Sequence, residues 1–345
     1  MTGAGLGPLM IDVEGVELTV ADRTRLEHSS VGGVVLFQRN YTGQAQLAAL
    51  IAEIKALRTP ELLVATDHEG GRVQRFLAGF TRLPAPRVIG QMFSQDSARA
   101  MDDAKTLGRV MGVELQNVGI DLNFAPVLDL FHPGSRVIGD RAFHERPEIV
   151  ARLAAQLVEG MQESGVHGVA KHFPGHGGVL DDSHHCLPVD GRPLAKISES
   201  DLEPYRQMDL DTLGGIMTCH ILFPAVDQLP ATFSRRWIND HLREELGFTG
   251  AVFSDDVIME GAKGIGTPLA RTLQAIDAGC DMVLVCNDPN SVDTILAAAP
   301  TPKDRDSEQR LKKLYGFRGL PALEASELES WAGRLEALST RPKGP

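Results

Sequence analysis

Between positions 171 and 185 the chain reads Lys-His-Phe-Pro-Gly-His-Gly-Gly-Val-Leu-Asp-Asp-Ser-His-His. Four of the eleven histidines fall here, His172, His176, His184 and His185, together with Lys171, Asp181 and Asp182. Imidazole titrates near neutrality and a neighbouring carboxylate can orient it, so a stretch of this kind can move protons. Pro174, Gly175, Gly177 and Gly178 break any helix or long strand. Gly168-Val169-Ala170, just before, reads as the end of a buried apolar run. The spacing predicts a strand that runs out into a long polar loop. Loops held by a rigid scaffold are where catalytic groups tend to lie.

Other apolar runs end in similar groups. Leu62–Asp67 is followed by His68-Glu69-Gly70-Gly71-Arg72, and Asn123–Asp129 closes on Asp129. Gly214–His220 ends in His220, and Gly250–Asp255 ends in Asp255 with Asp256 next. Several carboxylates with His, Lys and Arg, and no cysteine nucleophile motif, suit sugar chemistry. Glycoside cleavage needs one carboxylate to meet an oxocarbenium-like centre and a second group to protonate the leaving oxygen. A metal-dependent hydrolase, with His172, His176, His184 and His220 as ligands, is the competing enzyme. No H-x-H or H-E-x-x-H pattern supports it, so no metal and no cofactor are expected. A non-catalytic sugar-binding protein is the third possibility; cleavage of a chromogenic glycoside would exclude it.

The groups need a scaffold that brings distant run ends to one face. Eight apolar runs are legible, near 9–13, 32–37, 62–67, 123–129, 166–170, 214–220, 250–255 and 281–286. Helical spacing separates many of them, as in Leu47, Leu50, Ile51, Ile54 and Leu57, or Val150, Leu153, Leu157 and Met161. A helix over about 97 to 117 stops near Gly119. Ser234 reads as the cap of a helix carrying Trp237, Ile238 and Leu242. Thr267-Pro268 opens another, ended by Gly279. The tail from about 306 to 338 has helical composition. Strands alternating with helices in this way predict an α/β fold, a single-domain (β/α)8 barrel of TIM type over 1–345. A doubly wound open sheet is the alternative, but no G-x-G-x-x-G turn supports it. Pro126 is awkward for a central strand in the fourth run. In such a barrel the active site lies at the C-terminal ends of the strands, where these polar groups fall.

Composition excludes several classes. The 345 residues are 43% hydrophobic and 23% charged, ordinary for a globular protein. The net charge of −12 argues against nucleic acid as a partner, because phosphate binding needs a basic face. No apolar run of about 18 residues is present, so no membrane partner is expected. Met1–Gly7 has neither a basic n-region nor an apolar h-region, so no signal peptide is expected. The four cysteines, Cys186, Cys219, Cys280 and Cys286, form no C-x-x-C pair. Cys280 and Cys286 lie in or beside an apolar stretch, as buried free thiols would. These features favour a cytoplasmic location.

Lys171–Gly177 followed by Asp182-Ser183-His184 resembles the signature loop of glycoside hydrolase family 3, in its β-N-acetylglucosaminidase branch. The resemblance covers nearly the whole chain. Asp67–Arg75, Asp121–Asp129, Phe253-Ser254-Asp255-Asp256 and Ala278–Asn287 match further family segments in order. It implies removal of a terminal N-acetylglucosamine from cell-wall muropeptides, with retention, through a covalent glycosyl-enzyme. By motif position Asp255 is the nucleophile, His184 the general acid/base and Asp182 its partner. Asp67, Arg75, Arg141, Lys171 and His172 would hold the sugar. His68 stands where the family usually has Gln, a departure expected to bear on hydrogen bonding beside Asp67 without abolishing activity. Asp256 competes with Asp255, although strand alternation would send the two to opposite sides. His185 competes with His184. His176 is expected to shape the loop, His220 to line the pocket or orient Asp255, and Asp129 to support from behind.

Overall fold

The computed structural model describes residues 5–179, 186–315 and 325–340. Each apolar run contains a strand: β1 (Leu9–Ile11), β2 (Val31–Leu36), β3 (Leu63–Thr66), β4 (Leu122–Asn123), β5 (His167–Phe173), β6 (Gly215–Thr218), β7 (Ala251–Phe253) and β8 (Val283–Val285). All pairs are parallel, in the order β8-β1-β2-β3-β4-β5-β6-β7. A parallel bridge between Phe253 and Met282 joins the two ends of this sheet. The result is the expected (β/α)8 barrel of TIM type.

Alternation along the strands sorts the core into two layers. Met10, Val35, Leu63, Ala65, Val169, Met217, Phe253 and Leu284 point into the barrel, where they pack with Leu122 and Phe124. Their neighbours Leu9, Ile11, Val34, Leu36, Val64, Ile216, Val252, Val283 and Val285 point outward into the larger cluster shared with the helices. Leu6, Leu311 and Leu314 join the inner cluster, so the tail packs against the barrel interior. Asp281, 1% exposed, ties that tail to the sheet. It accepts from the Val252 amide at 2.8 Å, from Arg243 at 2.9 Å and from Arg310 at 2.7 Å.

The main helices follow their sequence signals. Asp96 caps the helix Ser97–Asn117, and Thr267 caps Pro268–Ala278, which ends at Gly279 with φ of 123°. The Ser234 hydroxyl accepts from the Trp237 amide at 3.2 Å, at the head of a helix over Arg236–Glu245. This helix has π-type bonding, with the Leu246 amide reaching the His241 carbonyl at 2.9 Å.

Two strands differ from expectation, and both matter to the site. β4 is only Leu122–Asn123, not the whole run to Asp129. Pro126 has no amide hydrogen to give a ladder, and the chain leaves the sheet there before Val127 bridges to Lys171. β5 runs on past Ala170 to Phe173, so Lys171 and His172 lie in the strand and not in a loop. Its register against β6 shifts between Lys171 and Phe173, and the Lys171–His172 and Phe173–Pro174 peptides are cis.

Candidate active site

The C-terminal ends of the strands enclose a cavity of about 350 Å³. Volume alone does not single it out, because a depression beside Gln162, His167 and Lys313 measures about 380 Å³. Chemistry does. Asp67, Glu69, Arg75, Arg141, Lys171, His172, His176, Asp255 and Asp256 all line the first. Beneath them lie Phe124, Met217, Leu284 and Cys286, side chains of the inner core cluster that close the floor.

One wall is a ladder of alternating charge. Arg75 donates to Asp67 at 3.1 Å, and the Lys171 ammonium bridges Asp67 at 2.7 Å and Glu69 at 2.6 Å. Arg141 then grips Glu69 through two parallel bonds of 2.8 Å each, the fork geometry that carboxylates favour. The side chains of Glu69 and Lys171 are 1% and 2% exposed, so their pairing offsets the cost of burying both charges. Burial pushes the Asp67 carboxyl up, but the pull of Lys171 and Arg75 outweighs it and holds Asp67 well below the usual carboxylate range. Glu69 behaves alike: burial raises it, and Arg141 and Lys171 more than reverse this. Asp67 and Glu69 are therefore fixed anions that can accept from sugar hydroxyls, beside cations that can donate to them.

The ladder continues into a histidine. Arg141 lies 3.3 Å from His172 Nε2, and His172 Nδ1 lies 2.6 Å from Asp129. A guanidinium can only donate, so Nε2 is the acceptor and the ring proton sits on Nδ1, facing Asp129. Asp129 also accepts from the His176 amide at 2.6 Å. It is buried, and the two histidines overcome its desolvation and hold its carboxyl low. Asp129 thus supports the site from behind, as expected. His176 lines the cavity itself; burial pushes its imidazole pKa down against the pull of Asp129.

Asp255, two residues past β7, lines the same cavity as the ladder. Its carboxylate accepts from the Asp256 amide at 2.8 Å. Alternation predicts that Asp255 and Asp256 part company, but both line the cavity. The reason is that β7 ends at Phe253, so the pleat no longer governs them. Asp256 is a hub. Its carboxylate accepts from the amides of Ile258 at 3.0 Å and Cys286 at 3.2 Å. Its carbonyl accepts from His220 Nε2 at 2.9 Å. Burial pushes the Asp256 carboxyl up to about 7, against those amides, with Asp255 adding to the rise. His220 does not line the pocket; it is fully buried, stacked on Phe233 with ring centres 5.4 Å apart.

The predicted site residues Asp67, Arg75, Arg141, Lys171, His172 and Asp255 thus come together around one cavity. Asp182 and His184 lie outside the described residues, as does His185. His68 behaves unlike the expectation. Its ring does not reach Asp67 but packs against Phe76 and Phe80, with centroids 5.8 Å and 5.6 Å away. Neither ring nitrogen has a hydrogen-bond partner among the described residues. Glu69 is the residue that the sequence reading quoted without choosing. The signal was available: two residues after Asp67 in an extended segment, it must face the same way. No group of three potential metal ligands converges among the described residues, and His184, one of the four ligands weighed, lies outside them. Cys219, Cys280 and Cys286 are buried free thiols.

Comparison with known proteins agrees with this geometry. The model of the glycosyl hydrolase family 3 N-terminal domain matches residues 9–312. A β-hexosaminidase of Chromobacterium violaceum is 51% identical over 310 residues, covering 90% of this chain and 87% of that protein. One from Neisseria gonorrhoeae is 47% identical over 320 residues, covering 92% and 89%. The crystal structure of NagZ from Neisseria gonorrhoeae in complex with N-trifluoroacetyl-D-glucosamine superposes with a TM-score of 0.93 at 43% identity. That match covers 99% of this chain and 100% of the other. A family 3 β-N-acetylglucosaminidase from Paenibacillus gives 0.85 at 32% identity, covering 98% and 69%. The chain belongs to glycosyl hydrolase family 3, in its β-hexosaminidase branch.

Proposed function

We propose that the protein is a retaining exo-β-N-acetylglucosaminidase. It removes terminal N-acetylglucosamine from muropeptides, 1,6-anhydro-N-acetylmuramyl peptides, during bacterial cell-wall recycling in the cytoplasm. The whole chain serves as one catalytic barrel, with a helical tail from about 306. What supports the chemistry most is that Asp255 shares one closed-floored cavity with a wall of paired charges. A single terminal sugar can be held there by its hydroxyls with its anomeric carbon toward Asp255. The muropeptide, the recycling role and the cytoplasm rest on the family resemblance. The N-acyl glucosamine bound by the gonococcal relative fits the same sugar.

In this reading the Asp255 carboxylate attacks the anomeric carbon as the glycosidic bond breaks, and His184 gives its proton to the leaving oxygen. Asp182 orients that imidazole. Water then attacks the glycosyl ester, His184 takes the proton, and Asp255 leaves as the carboxylate. Asp67, Glu69, Arg75, Arg141 and Lys171 hold the ring hydroxyls throughout. His172 receives Arg141 and is oriented by Asp129, so it aligns the guanidinium.

A panel of nitrophenyl glycosides tests the proposal. β-N-acetylglucosaminides are expected to be cleaved well ahead of plain β-glucosides; glucosides preferred tenfold would overturn the assignment. Asp255→Ala should lose at least about a thousandfold in rate, roughly 4 kcal/mol of transition-state stabilisation. A 5-fluoro sugar should label the peptide holding Asp255, and a label elsewhere would reassign the nucleophile.

A further inference from the structure

The cavity has a direction. Among its described lining residues only Arg72, Arg136 and Asn287 are exposed; the rest are buried or half-buried. These three mark the mouth, since the floor is closed by core side chains. Among the described residues, this is the side on which a terminal sugar held on the ladder can shed its aglycone. Whatever the aglycone carries passes Arg72 and Arg136.

The charges there differ in kind from those within. Inside, Asp67 and Glu69 are matched by Arg75, Arg141 and Lys171, and Asp129 is hydrogen-bonded to the His172 ring. At the mouth the Arg136 guanidinium has no carboxylate partner among the described residues, although the chain as a whole carries −12. Its segment is built and held. Arg72 reaches across from the Gly70–Arg72 turn and donates to the Arg136 carbonyl at 3.3 Å, to the Val137 carbonyl, and to Asp140 at 3.2 Å. Arg141, itself locked onto Glu69, donates to the same Val137 carbonyl at 3.3 Å. The Ile138 amide is tied to the Ser135 hydroxyl at 3.2 Å. The backbone that presents Arg136 is therefore fastened to the sugar wall itself, and an unpaired cation is held beside the exit. Guanidinium is the side chain best shaped to take a carboxylate in a fork.

We infer that Arg136, with Arg72 fastening its segment, forms a carboxylate-reading subsite on the aglycone side of the cavity, so that the enzyme selects glycosides whose leaving group is anionic. This rests on the glycosidase reading above. Arg136 acts on specificity and not on bond cleavage: it contacts the part of the substrate that departs. The attraction is partly exposed, so salt should weaken it, with a screening length of about 10 Å at 0.1 M.

The test uses two aryl β-N-acetylglucosaminides that differ only in charge, the 4-(carboxymethyl)phenyl glycoside and its primary amide. The methylene insulates the ring, so the two phenols leave about equally well. The readout is the ratio of kcat/KM for acid over amide within each enzyme, which cancels any general loss of activity or of folded protein. The wild-type ratio should be about ten at low ionic strength and fall toward one in 0.5 M salt. Arg136→Gln should bring it near one at low salt, and Arg136→Glu should invert it. Arg72→Gln should reduce the ratio by releasing the segment. A wild-type ratio near one overturns the subsite while leaving the glycosidase reading intact. So does a ratio of ten that neither Arg136 variant changes. A wild type that cleaves neither compound overturns both.

Discussion

Asp255 and His184 divide the proposed chemistry between a nucleophile that lines the cavity and an acid eleven residues after Phe173, the last residue of β5. Most glycosidases use a carboxylic acid as proton donor, raised by its setting. An imidazole starts near 6.5 and needs less tuning to give and take a proton at neutrality. The consequence appears in the leaving group. A proton donor matters most when the departing oxygen is a poor leaving group. His184→Ala should nearly abolish cleavage of natural glycosides. With a dinitrophenyl leaving group, formation of the intermediate should be much less affected, and a burst should appear as its breakdown becomes limiting. Pre-steady-state release of dinitrophenol measures this; equal losses on both substrates without a burst would make His184 structural. At this scale the sequence was legible wherever a polar residue ended an apolar run, as with Asp67, Lys171 and Asp255. It was less legible where side chains act on one another. Arg141 is far from any strand end in sequence, and only the family resemblance picked it out. Asp256 is the hydrogen-bond acceptor that its position suggests, but alternation sends it away from Asp255 only if it is carried past the point where the strand stops. His68 was placed beside Asp67 by adjacency, whereas its ring turns into an aromatic cluster.

Among the elements, the ladder depends on three separate pieces of chain. β5 supplies Lys171 and His172, the extended segment after β3 supplies Asp67 and Glu69, and the turn Gly139–Arg141 supplies the arginine. The register shift within β5 lets two consecutive residues reach one cavity. No periodicity announces such a shift, so Lys171 and His172 read as loop. The short β4 was better signalled, by Pro126. Glu69 is the joint between the pieces, because Arg141 and Lys171 both close on it. Its removal leaves the buried Arg141 without its carboxylate and Lys171 with Asp67 alone. Breaking a buried pair from one side costs about 3–5 kcal/mol, because the surviving charge stays desolvated. Glu69→Ala should therefore lose about that much stability in urea unfolding. It should also raise KM sharply, since Arg141 and Lys171 would no longer be held at the sugar. Glu69→Gln keeps the volume and should show the same direction in both measurements. A Glu69→Ala enzyme with unchanged KM and unchanged midpoint would show that Arg75, Lys171 and Asp67 hold the sugar without it.

Across the whole molecule, burial has been imposed on groups that titrate near neutrality, and stability should follow pH accordingly. His68 is fully buried among aromatic rings, and desolvation, with Arg75 adding to it, pushes its pKa down from 6.5 to about 3. Burial likewise pushes His167 down to about 4. Each is neutral in the fold, while the unfolded chain takes up a proton as pH falls below 6.5. The stability they contribute is thus fully present above that value and lost as pH falls toward their folded values, at up to about 1.36 kcal/mol per pH unit for each group. Asp256 works the other way: raised to about 7, it keeps its proton in the fold while the unfolded carboxyl has lost it, so lowering the pH from 7 toward 4 favours the fold. The low carboxylates Asp67, Glu69 and Asp129 add their losses only below about pH 4, where the unfolded groups protonate. Burial also lowers His144, His176 and His220 and raises Glu114 and Asp201, so among the described residues five depressed histidines stand against three raised carboxyls; the protein should be less stable at pH 5 than at pH 8, and a substitution can isolate one contribution. Leucine is close to histidine in volume and would suit the contacts with Phe76 and Phe80, while removing two buried nitrogens that lack partners among the described residues. His68→Leu should stabilise at both pH values, and by about 2 kcal/mol more at pH 5 than at pH 8, the linkage expected of a group moved from 6.5 to about 3. Urea unfolding of both proteins at the two pH values measures that difference directly. A gain that is the same at pH 5 and pH 8 would mean that His68 takes up a proton in the folded barrel as readily as in the unfolded chain, and that the cluster around Phe76 and Phe80 is wetter than its packing implies.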